Sequence, residues 1–274
     1  DTITGSSGNN TISGGGGNDT LAGGDGDDTI NGDAGDDTLD AGAVDTGADS
    51  YAGGAGTDTV SYSARSSALT IDLDGTGDDG ATGELDNVRA DVENVVGGSG
   101  VDTITGSASA NVLTGGAGAD ILNGGAGDDT FAEGAVNTDG DTFIGGAGTD
   151  TVDYSARTAA LTITMDGAAA DDGLAGETDD VEADVENILG GTAADSITGN
   201  DGANTLEGGA GADTLVGGNG ADELFGDAAV DSLNGGAGDD TLDGGAATDT
   251  LDCGTGEGDI VILGSGETGT GCEL

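Results

Sequence analysis

The chain has 274 residues, with 55 acidic residues against 3 arginines, no lysine, histidine or proline, and a net charge of −52. Self-repulsion of that size opposes any compact state unless a cation neutralises it on folding. It also argues against nucleic acid and anionic membrane surfaces as partners, because no basic patch exists to hold a phosphate. Aromatic residues are only 2%, too few for an ordinary globular core, and no run of 18 or more apolar residues is present to span a membrane.

A nine-residue unit, G-G-x-G-x-D-x-U-x with U a large aliphatic, organises most of the chain. The sequence opens at Asp1-Thr2-Ile3-Thr4, position 6 of a unit, as expected of a mature or trimmed form whose open first coil invites stacking by another copy. Residues 14–22 (GGGGNDTLA) and 23–31 (GGDGDDTIN) are strict copies; 5–13 and 32–40 are looser. Residues 41–52 (AGAVDTGADSYA) read as a turn enlarged by three residues and end a first block, 1–61.

The stretch 62–96 follows. It departs from the nonapeptide and is 35 residues long, close to two 18-residue coils, so it is expected to continue the solenoid as insert coils. Leu69, Ile71 and Leu73 alternate as a strand with one buried face, and Val92, Val95 and Val96 lead back into the repeats. A second block, 97–153, holds strict copies at 115–123 and 124–132, looser ones at 97–105 and 106–114, and another enlarged turn at 133–144. GGAGTDTV recurs 92 residues apart, at 53–60 and 145–152. The second copy leads into a duplicate insert, 154–189, with Leu161, Ile163, Met165, Val185, Ile188 and Leu189 in the matching places.

The acidic loops of the inserts (Asp78, Asp79, Glu84, Asp86; Asp171, Asp172, Glu177, Asp179) read either as extra metal sites or as solvated loops. Arg65 and Arg157 share one slot and are expected to pair with a neighbouring carboxylate. The last block, 190–263, has strict copies at 208–216 and 235–243 and looser ones at 190–198, 199–207, 217–225, 226–234 and 244–252. It closes on the apolar strand Asp259–Leu263, read as a cap or a docking face, before the tail 264–274. Cys253 and Cys272 are the only cysteines. A disulfide between them fits an oxidising compartment and contributes roughly 3 kcal/mol; two free thiols are the other reading.

Each unit has a legible chemistry. Glycines at positions 1, 2 and 4 permit backbone angles closed to other residues and let the backbone approach an ion. Position 6 supplies a carboxylate, and positions 7 to 9 form a short strand with one aliphatic turned inward. One unit cannot bury that aliphatic; stacked units do. Calcium suits the geometry, since it takes six to eight hard oxygen ligands in irregular shells. Zinc and copper lack ligands in a chain without histidine, and magnesium prefers a strict octahedron with retained water.

These motifs resemble the RTX (repeat-in-toxin) family, over about two thirds of the chain. The resemblance implies an all-β fold, a right-handed parallel β-roll or β-helix solenoid. Two nonapeptides make one 18-residue coil, and Ca²⁺ sits between turns 18 residues apart on one edge. About 14 coils at ~4.8 Å each make one continuous, elongated solenoid of roughly 65 Å.

Carried onto this sequence, the ligands are Asp19 with Asp37, Asp102 with Asp120, Asn111 with Asp129, Asp195 with Asp213, Asn204 with Asp222, Asp213 with Asp231, Asp222 with Asp240, and Asp231 with Asp249. Asp28, Asp58 and Asp150 occupy the same position. Turn carbonyls come from Gly15, Gly24, Gly26, Gly116, Gly118, Gly125, Gly127, Gly209, Gly211, Gly218 and Gly236. Sites with asparagine at position 6 (Asn10, Asn111, Asn204) are expected to be weaker. Asp25, Asp27, Asp36, Asp128 and Asp239, at positions 3 and 5, are expected to face solvent.

The implied cofactor is calcium, on the order of a dozen ions per chain. The functional expectation is a secreted, bacterial-type, non-enzymatic structural element: an extracellular rod, fibre, surface-layer or adhesive component that folds on calcium and associates end to end with copies of itself. The alternative is a calcium-dependent folding or secretion module processed from a larger toxin, enzyme or adhesin.

Overall fold

A computed structural model describes all residues except 44–46, 136–138, 169–171, 265–267 and 273–274. The described elements are all short strands, and none is a helix long and apolar enough to cross a membrane. The fold is a parallel β-solenoid. The chain divides into two compact units, Asp1–Ala132 with Gly146–Gly148, and Glu133–Gly145 with Thr149–Leu274. Each unit contains one of the two inserts.

In the first unit the repeats alternate between two sheets. Thr2–Thr4 pairs with Thr20–Ala22 and that strand with Thr38–Asp40, while Thr11–Gly16 pairs with Thr29–Ala34 on the opposite side. All these pairings are parallel. The inward aliphatics therefore stack: Leu21, Ile30, Leu39 and Val60 are fully buried. Burial of each such side chain favours folding by about 1.5–3 kcal/mol. This stack supplies the core that the aromatics cannot. The enlarged turn at 41–52 lengthens its coil, so that Asp37 and Asp58 meet across 21 residues.

The insert departs from the expectation of two 18-residue coils. On one face it adds a single strand, Asn94–Val96, between Thr59–Ser61 and Val112–Thr114. On the opposite side it adds two: Asn87–Val88 against Ser50–Ala55, and Leu69–Asp72 against Thr103–Thr105. The reason is a reversal between them. Gly80–Ala81 folds back antiparallel on Leu69–Asp72. Gly80 has φ +93°, and a Cβ there would stand 2.7 Å from a Glu84 carboxylate oxygen. Leu69, Ile71 and Leu73 are buried as the alternation predicts, as are Val92 and Val95.

The hairpin is pinned from inside. Asp79 is buried, and its two carboxylate oxygens accept the Asp72 and Val88 amides at 2.6 and 2.7 Å. Arg65 is buried beside it. One guanidinium nitrogen donates to Glu84 at 2.8 Å, another to the Ala41 carbonyl at 3.0 Å, and the group lies 5.9 Å from the Tyr62 ring.

The second unit repeats this plan. Leu161–Thr164 pairs antiparallel with Gly173–Leu174 and parallel with Ser196–Thr198. Asp172 accepts the Thr164 and Val181 amides at 2.6 and 2.9 Å. Arg157, fully buried, bridges Glu177 at 3.0 Å and Glu133, with the Tyr154 ring 5.9 Å away. The expected arginine–carboxylate pairing therefore holds in both inserts. The loop acids Asp79, Asp86, Asp172 and Asp179 are buried rather than solvated, while Asp78 is exposed and Asp171 lies outside the described residues.

Arg157→Met leaves Glu133 and Glu177 buried without their cation. It is expected to destabilise the second unit by about 3–5 kcal/mol, read as a drop in the thermal midpoint at saturating calcium.

After the insert the second unit is a regular stack. Asn187–Leu189, Thr205–Glu207, Glu223–Phe225 and Thr241–Asp243 pair in order and end on Ile260–Ile262. That last strand is an edge of its sheet, with Ile260 56% and Ile262 49% exposed. Cys253, buried, is joined to Cys272 by a disulfide with Cα atoms 5.1 Å apart.

Candidate metal centre

The position-6 residues form ladders along the coil edges. In each rung the main-chain N–H of one residue donates to a carboxylate oxygen of the residue one coil later. Asp19 donates to Asp37 at 2.8 Å, Asp102 to Asp120 at 2.7 Å and Asn111 to Asp129 at 2.7 Å. In the second unit Asp195 donates to Asp213, Asn204 to Asp222, Asp213 to Asp231, Asp222 to Asp240 and Asp231 to Asp249, all at 2.7 to 3.0 Å across 18 residues. Every pair expected from the sequence is thus brought together. Asp28, Asp58 and Asp150 lie in the same ladders and are buried.

The second carboxylate oxygen poses the chemical question. In Asp19, Asp28, Asp37, Asp58, Asp213, Asp222, Asp231, Asp240 and Asp249 the Oδ2 atom is buried and accepts no hydrogen bond. A buried carboxylate oxygen without a partner is costly, so the site calls for a cation or a proton. Burial accordingly pushes Asp213 and Asp222 up to about 6, and Asp58, Asp231 and Asp240 upward as well.

Oxygen atoms converge at the glycines. A Cβ on Gly217 would lie 2.3 Å from Asp222 Oδ2 and 2.6 Å from the Gly235 carbonyl oxygen of the next coil. One on Gly236 would lie 2.1 Å from the Gly218 carbonyl oxygen. All eleven glycines expected to lend carbonyls have positive φ, from +85° to +150°. Hard, anionic and carbonyl oxygens in an irregular cradle are the donor set calcium takes, so the residues present fit that ion.

Gly217→Ala is expected to cost about 1–3 kcal/mol by overpacking and to raise the calcium concentration needed for folding, read by circular dichroism. Gly8→Ala, where a Cβ meets nothing within 4 Å, serves as the control.

The turns that follow each insert differ. Both oxygens of Asp102 are taken by the Leu69 and Gly98 amides, and both of Asp195 by Leu161 and Gly191. Asn111 and Asn204 donate their amides to the Glu93 and Glu186 carbonyls at 2.8 and 3.1 Å. These four side chains face an insert on the preceding coil and offer no unpartnered carboxylate oxygen. By contrast, the position 3 and 5 acids Asp25, Asp27, Asp36, Asp128 and Asp239 are exposed, as expected.

The ladders also hold residues that the strict nonapeptide misses. Asp28 donates to Asp49 and Asp49 to Asp86; Asp58 donates to Glu93; Asp240 donates to Asp259. In the second unit Asp141 donates to Asp179 and Asp150 to Glu186. A shorter signal, an acid two residues before an inward apolar residue, marks all of them: Asp49 before Tyr51, Glu93 before Val95, Asp259 before Val261. Two further groups of acids approach one another: Asp72, Asp74 and Asp78 near the surface, and Glu133, Glu177 and Asp179 in the interior. In the second, Arg157 already supplies the positive charge.

Stacked parallel coils with carboxylates repeating on their edges define a β-solenoid whose edges can hold metal ions. The model of the RTX calcium-binding nonapeptide repeat, four copies long, matches residues 1–30, 13–45, 23–60, 96–131, 137–156, 189–224, 216–251 and 225–260. These matches cover well over half of the chain, and the chain belongs to that family. No curated protein matches it.

Proposed function

We propose that the chain is a secreted, non-enzymatic structural solenoid, an element of an extracellular rod, fibre, surface layer or adhesive structure, that folds on binding many calcium ions. The carrying observation is the set of buried Oδ2 atoms left without a hydrogen-bond partner. The position-6 aspartates would hold calcium, and turn carbonyls would complete the shell. When bound, the ion supplies charge neutralisation and ties successive turns together. The chain's own part is to orient each carboxylate through its Oδ1 bond to the previous coil and to leave room for the ion above a glycine.

A structural role is supported by the uniform coils and by the lack of histidine and lysine as bases. Export is supported by the Cys253–Cys272 disulfide, which persists in oxidising compartments.

The exposed apolar edge at Ile260–Ile262 favours a second reading, a calcium-dependent folding or secretion module of a larger protein. Small-angle scattering and electron microscopy in millimolar calcium separate the two. Particles that lengthen with protein concentration support the structural element; monodisperse monomers at all concentrations leave the module.

A further inference from the structure

We propose that the short acidic turn at the end of the first insert, Arg89–Glu93, binds a divalent cation of the calcium type at a site built differently from the nonapeptide sites. The proposal rests on the reading of position-6 carboxylates as calcium ligands. It adds a site in a part of the chain that the repeat model does not match: its matches stop at residue 60 and resume at 96, and stop at 156 and resume at 189.

The cradle is built around the glycine at position 1. In a regular coil, a Cβ on Gly14 would lie 2.5 Å from Asp19 Oδ2 and 2.7 Å from the Gly32 carbonyl oxygen. The next coil contributes its own position-1 carbonyl to the cradle. At the junction, a Cβ on Gly53 would lie 2.6 Å from Asp58 Oδ2 and 2.2 Å from the Asp91 carbonyl oxygen. Asp91 has taken over the position-1 carbonyl. The position-6 carboxylate is taken over by Glu93, whose Oε2 accepts the Asp58 amide at 2.8 Å. The five-residue step of the nonapeptide is compressed to two residues.

That compression places an extra carboxylate, that of Asp91, where a repeat has only glycine. Two side chains point to a ligand there. Asp58 is fully buried, and its Oδ2 accepts no hydrogen bond. Asp91 Oδ1 is likewise buried and unbonded. Arg89 does not neutralise them; its guanidinium reaches toward Ser50 Oγ at 3.5 Å. The ligands are therefore Asp58 Oδ2 with the Asp91 carbonyl and carboxylate, and Glu93 is a positioning residue that holds Asp58 through its amide.

The second insert has the same turn, but there the Asp184 carboxylate accepts the Gly145 amide at 3.1 Å. A Cβ on Gly145 would lie 2.7 Å from Asp150 Oδ2 and 2.3 Å from the Asp184 carbonyl oxygen, and Glu186 accepts the Asp150 amide at 2.8 Å. Glu182 stands where the first insert has Arg89.

The test is ion counting by atomic emission on calcium-saturated, gel-filtered protein. Asp91→Asn keeps side-chain shape and removes charge, and Asp184→Asn, at a carboxylate already hydrogen-bonded to Gly145, is the comparison. Asp91→Asn is expected to lose one ion, with the dichroism spectrum in calcium unchanged. An unchanged count overturns the proposal. Should the variants not fold, terbium-soaked crystals of the wild-type chain decide the matter: an anomalous peak between Asp58 and Asp91 upholds the site and its absence overturns it. Wild-type protein that binds no calcium at all refutes the broader ladder reading, a result distinct from loss of the junction site alone.

Discussion

Chelation of calcium at neutral pH is expected to abolish the strand signal in far-UV circular dichroism and to expand the chain severalfold in volume. Three terms favour the unfolded chain once the ion is gone. The first is the net charge of −52, whose repulsion the compact state concentrates. The second is the 61 glycines, each losing more backbone entropy on folding than any other residue. The third is local: the buried Oδ2 atoms of Asp213, Asp222, Asp231, Asp240 and Asp249 keep no partner. Against them, a single calcium site at about 100 times its dissociation constant adds ~2.7 kcal/mol to folding, so several sites together are expected to outweigh them. Dichroism and scattering in excess EDTA check this. A full strand signal without calcium at pH 7.5 would sink it.

Mild acid is expected to restore part of that signal in the absence of calcium. Burial raises Asp213 and Asp222 to about 6, Asp86 to about 6, and Asp79 and Asp179 to about 7. A carboxyl whose folded value lies above its unfolded one, near 4, binds more protons in the folded state between those values. Stability therefore falls as pH rises through that window, each group losing at most ~1.4 kcal/mol for every step of one in pH. The contribution is fully present below about 4 and lost as pH climbs past 6 to 7. A titration in chelator from pH 7.5 to 4.5 should show strand content rising as the carboxyls protonate. A flat trace across the range would show that charge on these aspartates is not what opposes the metal-free fold. Calcium competes with the same protons, so its apparent affinity should weaken over the same interval.

The repeat carried most of this outcome because its periodicity is chemical. A residue such as Leu21 or Leu224 must face inward if glycines turn the chain every nine residues, and an aspartate two positions earlier must then line an edge. Coil length, ladder pairs and exposed Asp25 or Asp239 all follow from that spacing. The inserts were less legible. Their 35 and 36 residues come close to two 18-residue coils, yet the antiparallel turn at Gly80 consumes length without advancing the stack. Reversal of that kind has no periodic signature. The same blindness hid Glu93 and Glu186, since an extra methylene lets glutamate span a compressed turn that no nine-residue template describes. It also made Asp102 and Asp195 look like any other position-6 acid. What sets them apart is the insert behind them, whose Leu69 or Leu161 amide takes one oxygen while the Gly98 or Gly191 amide of their own turn takes the other.

The ladder bonds all point the same way. Each amide is satisfied by the carboxylate of the coil that follows it, as Asp213 is by Asp231 and Asp231 by Asp249. Such a stack is vectorial. Removing a coil from the C-terminal side deprives its predecessor of an acceptor, whereas removing one from the N-terminal side costs its successor only a donor. The array behaves like a zipper whose teeth lock in one direction, and its two ends fray unequally.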